Sequence, residues 1–270
     1  MKFAICNEIF QGWKLEDTFA FVAKAGYDAV EIAPFTVAKD VKEISSSERQ
    51  QIRDFAAKAG IAISGIHWVL AQTEGLHVTH ADYDVRKKTS AYLCDLVEFS
   101  ADLGGKILVF GSPKQRNITD GVPPGQAQEW AAEVFRDAVM LAEFRGVTIC
   151  FEPLSPAETN FINTAAEAIQ FVQRIPSPNF KIILDVKAMS SESVPIPQII
   201  RESWPHFAYF HANDKNLKGP GFGDVDFKPV AAALKEVGYD GYISVEVFNF
   251  DEGPEMIATK SLEHLRRAFG

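Results

Sequence analysis

The stretch Gln126–Pro153, QAQEWAAEVFRDAVMLAEFRGVTICFEP, carries the unit from which the fold is read. Its first part is a long amphipathic helical segment that closes on Gly146, where a helix-ending glycine belongs. A short, nearly unbroken apolar run follows, Val147 to Phe151, and it ends abruptly in Glu152-Pro153. Such a run is the pattern of a parallel strand covered on both faces. The same order recurs along the chain. Strand-like runs lie at Lys2–Phe10, Ala29–Pro34, Ile61–Trp68, Lys106–Gly111, Val147–Pro153, Phe180–Asp185, Phe207–Ala212 and Tyr242–Phe248. Between them are helical stretches at Leu15–Gly26, Ser46–Gly60, Tyr83–Gly104, Gln126–Gly146, Thr164–Ile175, Pro197–Ser203, Phe227–Gly238 and Pro254–Phe269. The segment Ser46-Ser47-Glu48-Arg49 offers a capping hydroxyl, and Asn163 or Thr164 with Glu167 resembles a capping box.

Eight βα units predict an α/β protein with a closed (β/α)8 barrel of the TIM type. An open doubly wound sheet is the alternative. It usually carries a phosphate fingerprint after its first strand, and Asn7-Glu8-Ile9-Phe10-Gln11-Gly12 has only one glycine there. No linker or composition shift divides residues 1–270, so a single domain is expected.

Composition narrows the function classes. Of 270 residues, 27 are Lys or Arg and 36 are Asp or Glu, a formal net charge of −9 that disfavours a phosphate backbone as partner. No stretch approaches the roughly 18 consecutive apolar residues of a membrane span. The N-terminus lacks the long apolar region of a signal peptide. Cys6, Cys94 and Cys150 are odd in number and widely spaced, which reads as reduced thiols. A cytoplasmic enzyme of small molecules is the expectation, and nothing in the composition speaks against a homo-oligomer.

In such a barrel the chemistry sits at the C-terminal ends of the strands. Four consecutive strand ends carry ligand-type side chains: Glu152, Asp185, His211 and Glu246, spaced by 33, 26 and 35 residues, each about one βα unit. Three carboxylates and an imidazole converging in a dry mouth repel one another unless a cation neutralises them. The set predicts one divalent metal ion, with Mn²⁺ the first expectation and Mg²⁺, Co²⁺ or Zn²⁺ compatible with the same donors.

The segments Val147–Asn163 (VTICFEPLSPAETNFIN), Lys181–Met189 (KIILDVKAM), Phe207–Asp226 (FAYFHANDKNLKGPGFGDVD) and Tyr242–Phe248 (YISVEVF) resemble the xylose-isomerase-like barrel family of sugar isomerases and epimerases, and most of all its ketose 3-epimerase branch. Ala25–Glu31 resembles the family's entry into its second strand. The resemblance implies that Glu152, Asp185, His211 and Glu246 hold the metal, that Glu152 and Glu246 are the acid/base pair, and that Glu158 contacts substrate. It also exposes two departures. The family often has a histidine three residues after the metal-binding aspartate, where Ala188 stands, and an arginine after strand seven, where Asn216-Leu217-Lys218 stands.

Other residues complete the expected site. His67 ends strand three on the face for a substrate hydrogen bond, and Trp68 reads as a pocket wall. Lys114 and Arg116, in the loop after strand four, bring two cations to the mouth as substrate-binding candidates. Glu31, within strand two, reads as structural. His77 and His80 read as surface or lid residues, and Cys150 as core. The turn Gly219–Asp224 is expected to bring Asp224 and Asp226 near the site.

The resulting expectation is a metal-dependent isomerase or epimerase that works through an enediolate of a ketose or keto-sugar. A lyase or dehydratase using the same intermediate is the alternative. An endonuclease of the same barrel needs further histidines, and strand four ends Phe110-Gly111 without one, while Ala188 and Asp226 occupy two other places. A non-catalytic sugar-binding barrel would not need both Glu152 and Glu246. The sugar is expected to be unphosphorylated, because the loop Phe248–Gly253 presents Asp251 and Glu252 where a dianion needs donors.

Overall fold

The computed structural model describes every residue from Met1 to Gly270. Eight strands, β1 (Lys2–Cys6), β2 (Ala29–Ile32), β3 (Ala62–Ile66), β4 (Ile107–Phe110), β5 (Thr148–Phe151), β6 (Phe180–Asp185), β7 (Phe207–Ala212) and β8 (Tyr242–Val245), pair in sequence order into a closed barrel. Every pairing is parallel, and β1 closes the ring on β8. The helices are α1 (Leu15–Ala25), α2 (Ser46–Ala59), α3 (Tyr83–Asp102), α4 (Pro124–Arg145), α5 (Ala165–Val172), α6 (Val186–Met189), α7 (Ile196–Ser203), α8 (Phe227–Glu236) and α9 (Pro254–Phe269). The expected (β/α)8 architecture is therefore the observed one.

Side chains alternate along each strand, so residues two apart share a face. That period builds the site. Leu108, Phe110, Phe151 and Phe180 belong to the main apolar core, where Phe135 of α4 and Phe171 of α5 complete an aromatic cluster with ring centroids 4.8–6.1 Å apart. Ile107, Val109, Cys150, Ile183 and Tyr209 form a second, smaller cluster inside the ring. Two residues further along their strands, Cys150 is followed by Glu152, Ile183 by Asp185 and Tyr209 by His211. On β5, β6 and β7 the same inward face thus leads from this cluster to the polar groups at the mouth.

Differences from the sequence reading fall at element ends. β1 stops at Cys6, and a 3-10 turn over Asn7–Ile9 follows. β3 ends at Ile66 and β8 at Val245, because the inter-strand ladder runs out there and the chain turns into the loops of the mouth. The α2 cap is Ser45, one residue before the expected serines, and it forms a capping box with Glu48. Thr164 and Glu167 form the other capping box as expected. The short helix α6 was not anticipated. Its cap is Asp185, whose Oδ1 accepts the Ala188 backbone N–H at 2.7 Å.

Candidate active site and metal centre

Glu152, Asp185, His211 and Glu246 meet at the barrel mouth, with one ligand atom from each lying within 4.8 Å of all the others. Asp185 and His211 are register partners across β6 and β7. All four are buried, Glu152 most exposed at 5% and Asp185 and His211 at 0%. Three of them are held by a neighbour. Asp185 Oδ2 accepts from Asn213 Nδ2 at 2.5 Å while its Oδ1 caps α6. Glu246 Oε1 accepts the indole N–H of Trp68 at 2.7 Å. His211 Nε2 lies 3.0 Å from Glu31 Oε2.

The electrostatics describe a site short of positive charge. Burial, then repulsion from Glu246 and Asp185, pushes the Glu152 carboxyl up to about 8. Burial and Glu246 push Asp185 up to about 6. Burial opposes ionisation of Glu246 too, but His211, with His67 and Lys187, outweighs it and holds that carboxyl below its ordinary value. Beneath the site, burial is again outweighed: His211 and His67 hold Glu31 down to about 2. Glu31 is therefore a carboxylate and only accepts, so His211 Nε2 carries a proton toward it. Against the effect of burial, Glu246 and Glu31 also raise His211 well above its ordinary value, so a cation at the mouth would take the place of the Nδ1 proton.

The surroundings of Nδ1 are the test of whether these residues suit a metal. His211 Nδ1 and Glu246 Oε2 are buried without a hydrogen-bond partner and face each other at 3.2 Å. Unpaired buried polar atoms are rare and costly. Two of them converging with two further carboxylates, in an oxygen-rich set with one imidazole, fit a hard divalent cation. The Glu31–His211 pair is the usual support of such a ligand, a carboxylate fixing the imidazole tautomer from behind.

A cavity of about 290 Å³ opens directly onto Glu152 and Glu246. Trp68, Lys114, Glu158, Lys187 and Phe248 are among its walls. Glu158 Oε1 accepts from Lys187 Nζ at 2.7 Å, and the Lys187 ammonium lies 3.9 Å from the centre of the Phe248 ring.

The model of the xylose isomerase-like TIM barrel family matches residues 19–268. The chain belongs to that family. Among curated relatives, the D-psicose 3-epimerase of Ruminiclostridium cellulolyticum is 28% identical over 234 residues, which span 84% of this chain and 76% of that protein. The L-ribulose 3-epimerase of Mesorhizobium japonicum is 26% identical over 248 residues, spanning 92% of this chain and 80% of that one. A crystal structure of a D-psicose 3-epimerase, obtained in the presence of D-fructose, matches with a TM-score of 0.87 at 23% identity and covers all of both chains. That last likeness is one of fold. The named relatives are epimerases, in agreement with the expected isomerase class.

Within this family barrel, the predicted site residues divide. Glu152, Glu158, Glu246, Trp68 and Lys114 line the cavity, with Lys114 exposed at its rim. His67 does not line it. It is fully buried beneath, its Nε2 2.9 Å from Glu8 Oε2, and Glu8 and Glu31 raise it to about 9 against the effect of burial. Arg116 corrects the reading of the strand-four loop. It does not reach the mouth, because its guanidinium is fully buried and donates to the carbonyls of Glu152 (2.5 Å), Phe110 (2.7 Å) and Ser112 (3.3 Å). The rings of Phe110 and Phe151 pack against it. Asp224 and Asp226 also miss the cavity; Asp226 caps α8, and Gly223 packs on Asp214.

Both departures from the family pattern are visible in three dimensions. Ala188 is buried in α6, and Leu217 is 44% exposed and outside the cavity lining. Lys187 and Glu31 are the residues sequence reasoning missed or undervalued. Lys187 falls in a helix of only four residues, too short to show a period, although its place two residues after Asp185 was a usable signal. Glu31 lies in a strand with no polar pattern around it, and its partner is 180 residues away. No helix of the chain is long and apolar enough to cross a membrane.

Proposed function

We propose that this protein is a metal-dependent epimerase or isomerase of an unphosphorylated ketose or related keto-sugar. The observation that carries the reading is the convergence of Glu152 and Glu246 on one small cavity while Asp185 and His211 hold the rest of a divalent-cation donor set behind it. The epimerase names of its curated relatives support the reaction class. Glu152, Asp185, His211 and Glu246 would hold a divalent cation, Mn²⁺ in our proposal, which would supply Lewis acidity to stabilise negative charge developing on neighbouring sugar oxygens.

The chain's own residues account for the rest. Glu152 arrives from β5 and Glu246 from β8, three strands apart around the ring, so they address a bound sugar from different sides. One carboxylate removes the proton α to the carbonyl, giving the enediolate of the sugar, and the other returns a proton to the opposite face. Trp68 donates to Glu246 and fixes the direction of that carboxylate. Glu158, oriented by Lys187 and by the Ser155 hydroxyl at 2.8 Å, offers a hydroxyl-binding oxygen. Asp251 and Glu252 stand in the loop after β8, and Lys218 is already paired with Glu252 at 2.7 Å, which weighs against a phosphate there.

The test is a screen of free ketoses, keto-glycosides and their phosphates in deuterium oxide with Mn²⁺, read by NMR for loss of the α-hydrogen. Exchange into a free sugar, with a product of unchanged mass, is expected. A product of lower mass would mark elimination instead, and a clear preference for phosphates would overturn the assignment of substrate class.

A further inference from the structure

The catalytic cavity is not the only chamber at the barrel mouth. A second one, of about 600 Å³, lies beside it and shares Trp68, Gln72 and Phe248 as a common wall. Its other walls include Phe10, Trp13, Phe35 and Phe250. The shared partition is itself aromatic: Trp68 packs on Phe35 at 6.2 Å on one side and on Phe248 at 6.0 Å on the other. Trp68 holds this place with a φ of 52°, a left-handed conformation that is uncommon for a bulky residue and recurs at ligand sites.

The first chamber, at about 290 Å³, is at the low edge of small-molecule sites. It suits one sugar unit beside Glu152 and Glu246. The second chamber is larger than that unit needs and is lined by rings whose flat apolar faces match the C–H face of a sugar. It is not purely apolar. Glu8 lines it, is only 6% exposed, and leaves Oε1 without a hydrogen-bond partner while Oε2 is engaged with His67. A buried acceptor lacking a donor is matched by a hydroxyl and mismatched by a hydrocarbon tail.

We infer that the second chamber binds a second sugar ring, so that the substrate is a keto-sugar carrying a glycosidic substituent. This deepens the keto-sugar reading above and rests on it for the placement of the reacting unit. The grip on the reacting unit agrees: Ala188 and Leu217 stand where the family pattern has polar contacts. Binding then comes from the neighbouring ring, stacked between Phe35, Trp13 and Phe250 and hydrogen-bonded at Glu8.

The experiment compares D-fructose with the glucosyl-fructose disaccharides maltulose and isomaltulose, by calorimetric titration of the Mn²⁺-loaded protein. At least one disaccharide is expected to bind about tenfold or more tighter than fructose, a difference of roughly 1.4 kcal/mol. Phe35→Ala should bring that ratio to within about twofold. Gln11→Ala, at an exposed position on the same chamber, should lower it by about threefold without any risk to the fold. Equal affinities for fructose and both disaccharides, or a preference that survives both substitutions, would overturn the inference. Proton exchange is scored separately: exchange on fructose with no disaccharide preference removes the second-ring site alone. A disaccharide preference with no exchange on any sugar removes the epimerase reading and leaves the site standing.

Discussion

Glu31 and His211, 180 residues apart in the chain, are joined inside the barrel by a 3.0 Å hydrogen bond that decides which imidazole nitrogen faces the mouth. Glu31 accepts in addition from the hydroxyls of Ser244 at 2.6 Å and Tyr209 at 3.1 Å, so the carboxylate is clamped before it meets the histidine. With Nε2 engaged, Nδ1 is left without a partner beside Glu246. The orientation of His211 in the proposed metal site is therefore set one layer below the four residues at the mouth.

Glu31→Gln tests this directly. An amide can donate as well as accept, so it no longer enforces the Nε2–H tautomer, and metal affinity should fall about tenfold to a hundredfold, the usual effect of losing a ligand's supporting carboxylate. Competition against a chelator measures it. Unchanged affinity would show that Glu31 merely fills the core.

Gly111 stands where the chain leaves β4, beside the cavity lined by Glu152 and Glu246. A Cβ placed there would lie 1.8 Å from Glu152 Oε2, and the carboxylate is the part able to move. Gly111→Ala should lower kcat by about a hundredfold, as a displacement of roughly 1 Å in a reacting group does, while the melting temperature changes little. Paired kinetics and thermal melts separate these effects; a loss of stability with kcat retained would contradict the assigned role of Glu152.

Arg116 is expected to act on stability. Its guanidinium satisfies carbonyls of β4 and of the loops after β4 and β5, and replacing it by methionine leaves them buried and unpaired. Arg116→Met should cost on the order of 3 kcal/mol in urea unfolding. If the variant were fully stable but showed a raised KM, the residue would belong to substrate binding after all.

His77 gives the stability curve an acid limb. Burial, and then the neighbouring His80, holds it down to about 4, whereas in the unfolded chain it titrates near 6.5. Between those values the unfolded state binds more protons, so the contribution is fully present above about pH 6.5 and is lost as pH falls through 4. His77→Asn should flatten the fall of melting temperature across this window. Parallel acid limbs in the two proteins would contradict the assignment.

How much of this was legible beforehand follows from the range over which each signal acts. The strands and their order were readable because each apolar run, such as Val147–Phe151, is local and is bounded by its own glycine and proline. That the four strand-end residues Glu152, Asp185, His211 and Glu246 meet was readable because one βα unit separates each from the next, so spacing along the chain reports spacing around the ring. Arg116 was misread because exposure was inferred from its loop, and nothing local shows that Phe110, Phe151 and three carbonyls enclose it. Lys187 and Glu31 depend on partners 29 and 180 residues away, and pairwise contacts at that range leave no pattern in a single sequence.

The central claim is that Glu152 and Glu246 move the proton. It is tested most directly by following α-hydrogen exchange in deuterium oxide for the parent protein and for Glu246→Gln, with bound metal quantified in both. The account predicts that the variant retains metal while its exchange rate falls by about a hundredfold or more, the scale of a lost acid/base group. Exchange at the parent rate in a metal-loaded Glu246→Gln protein would contradict it.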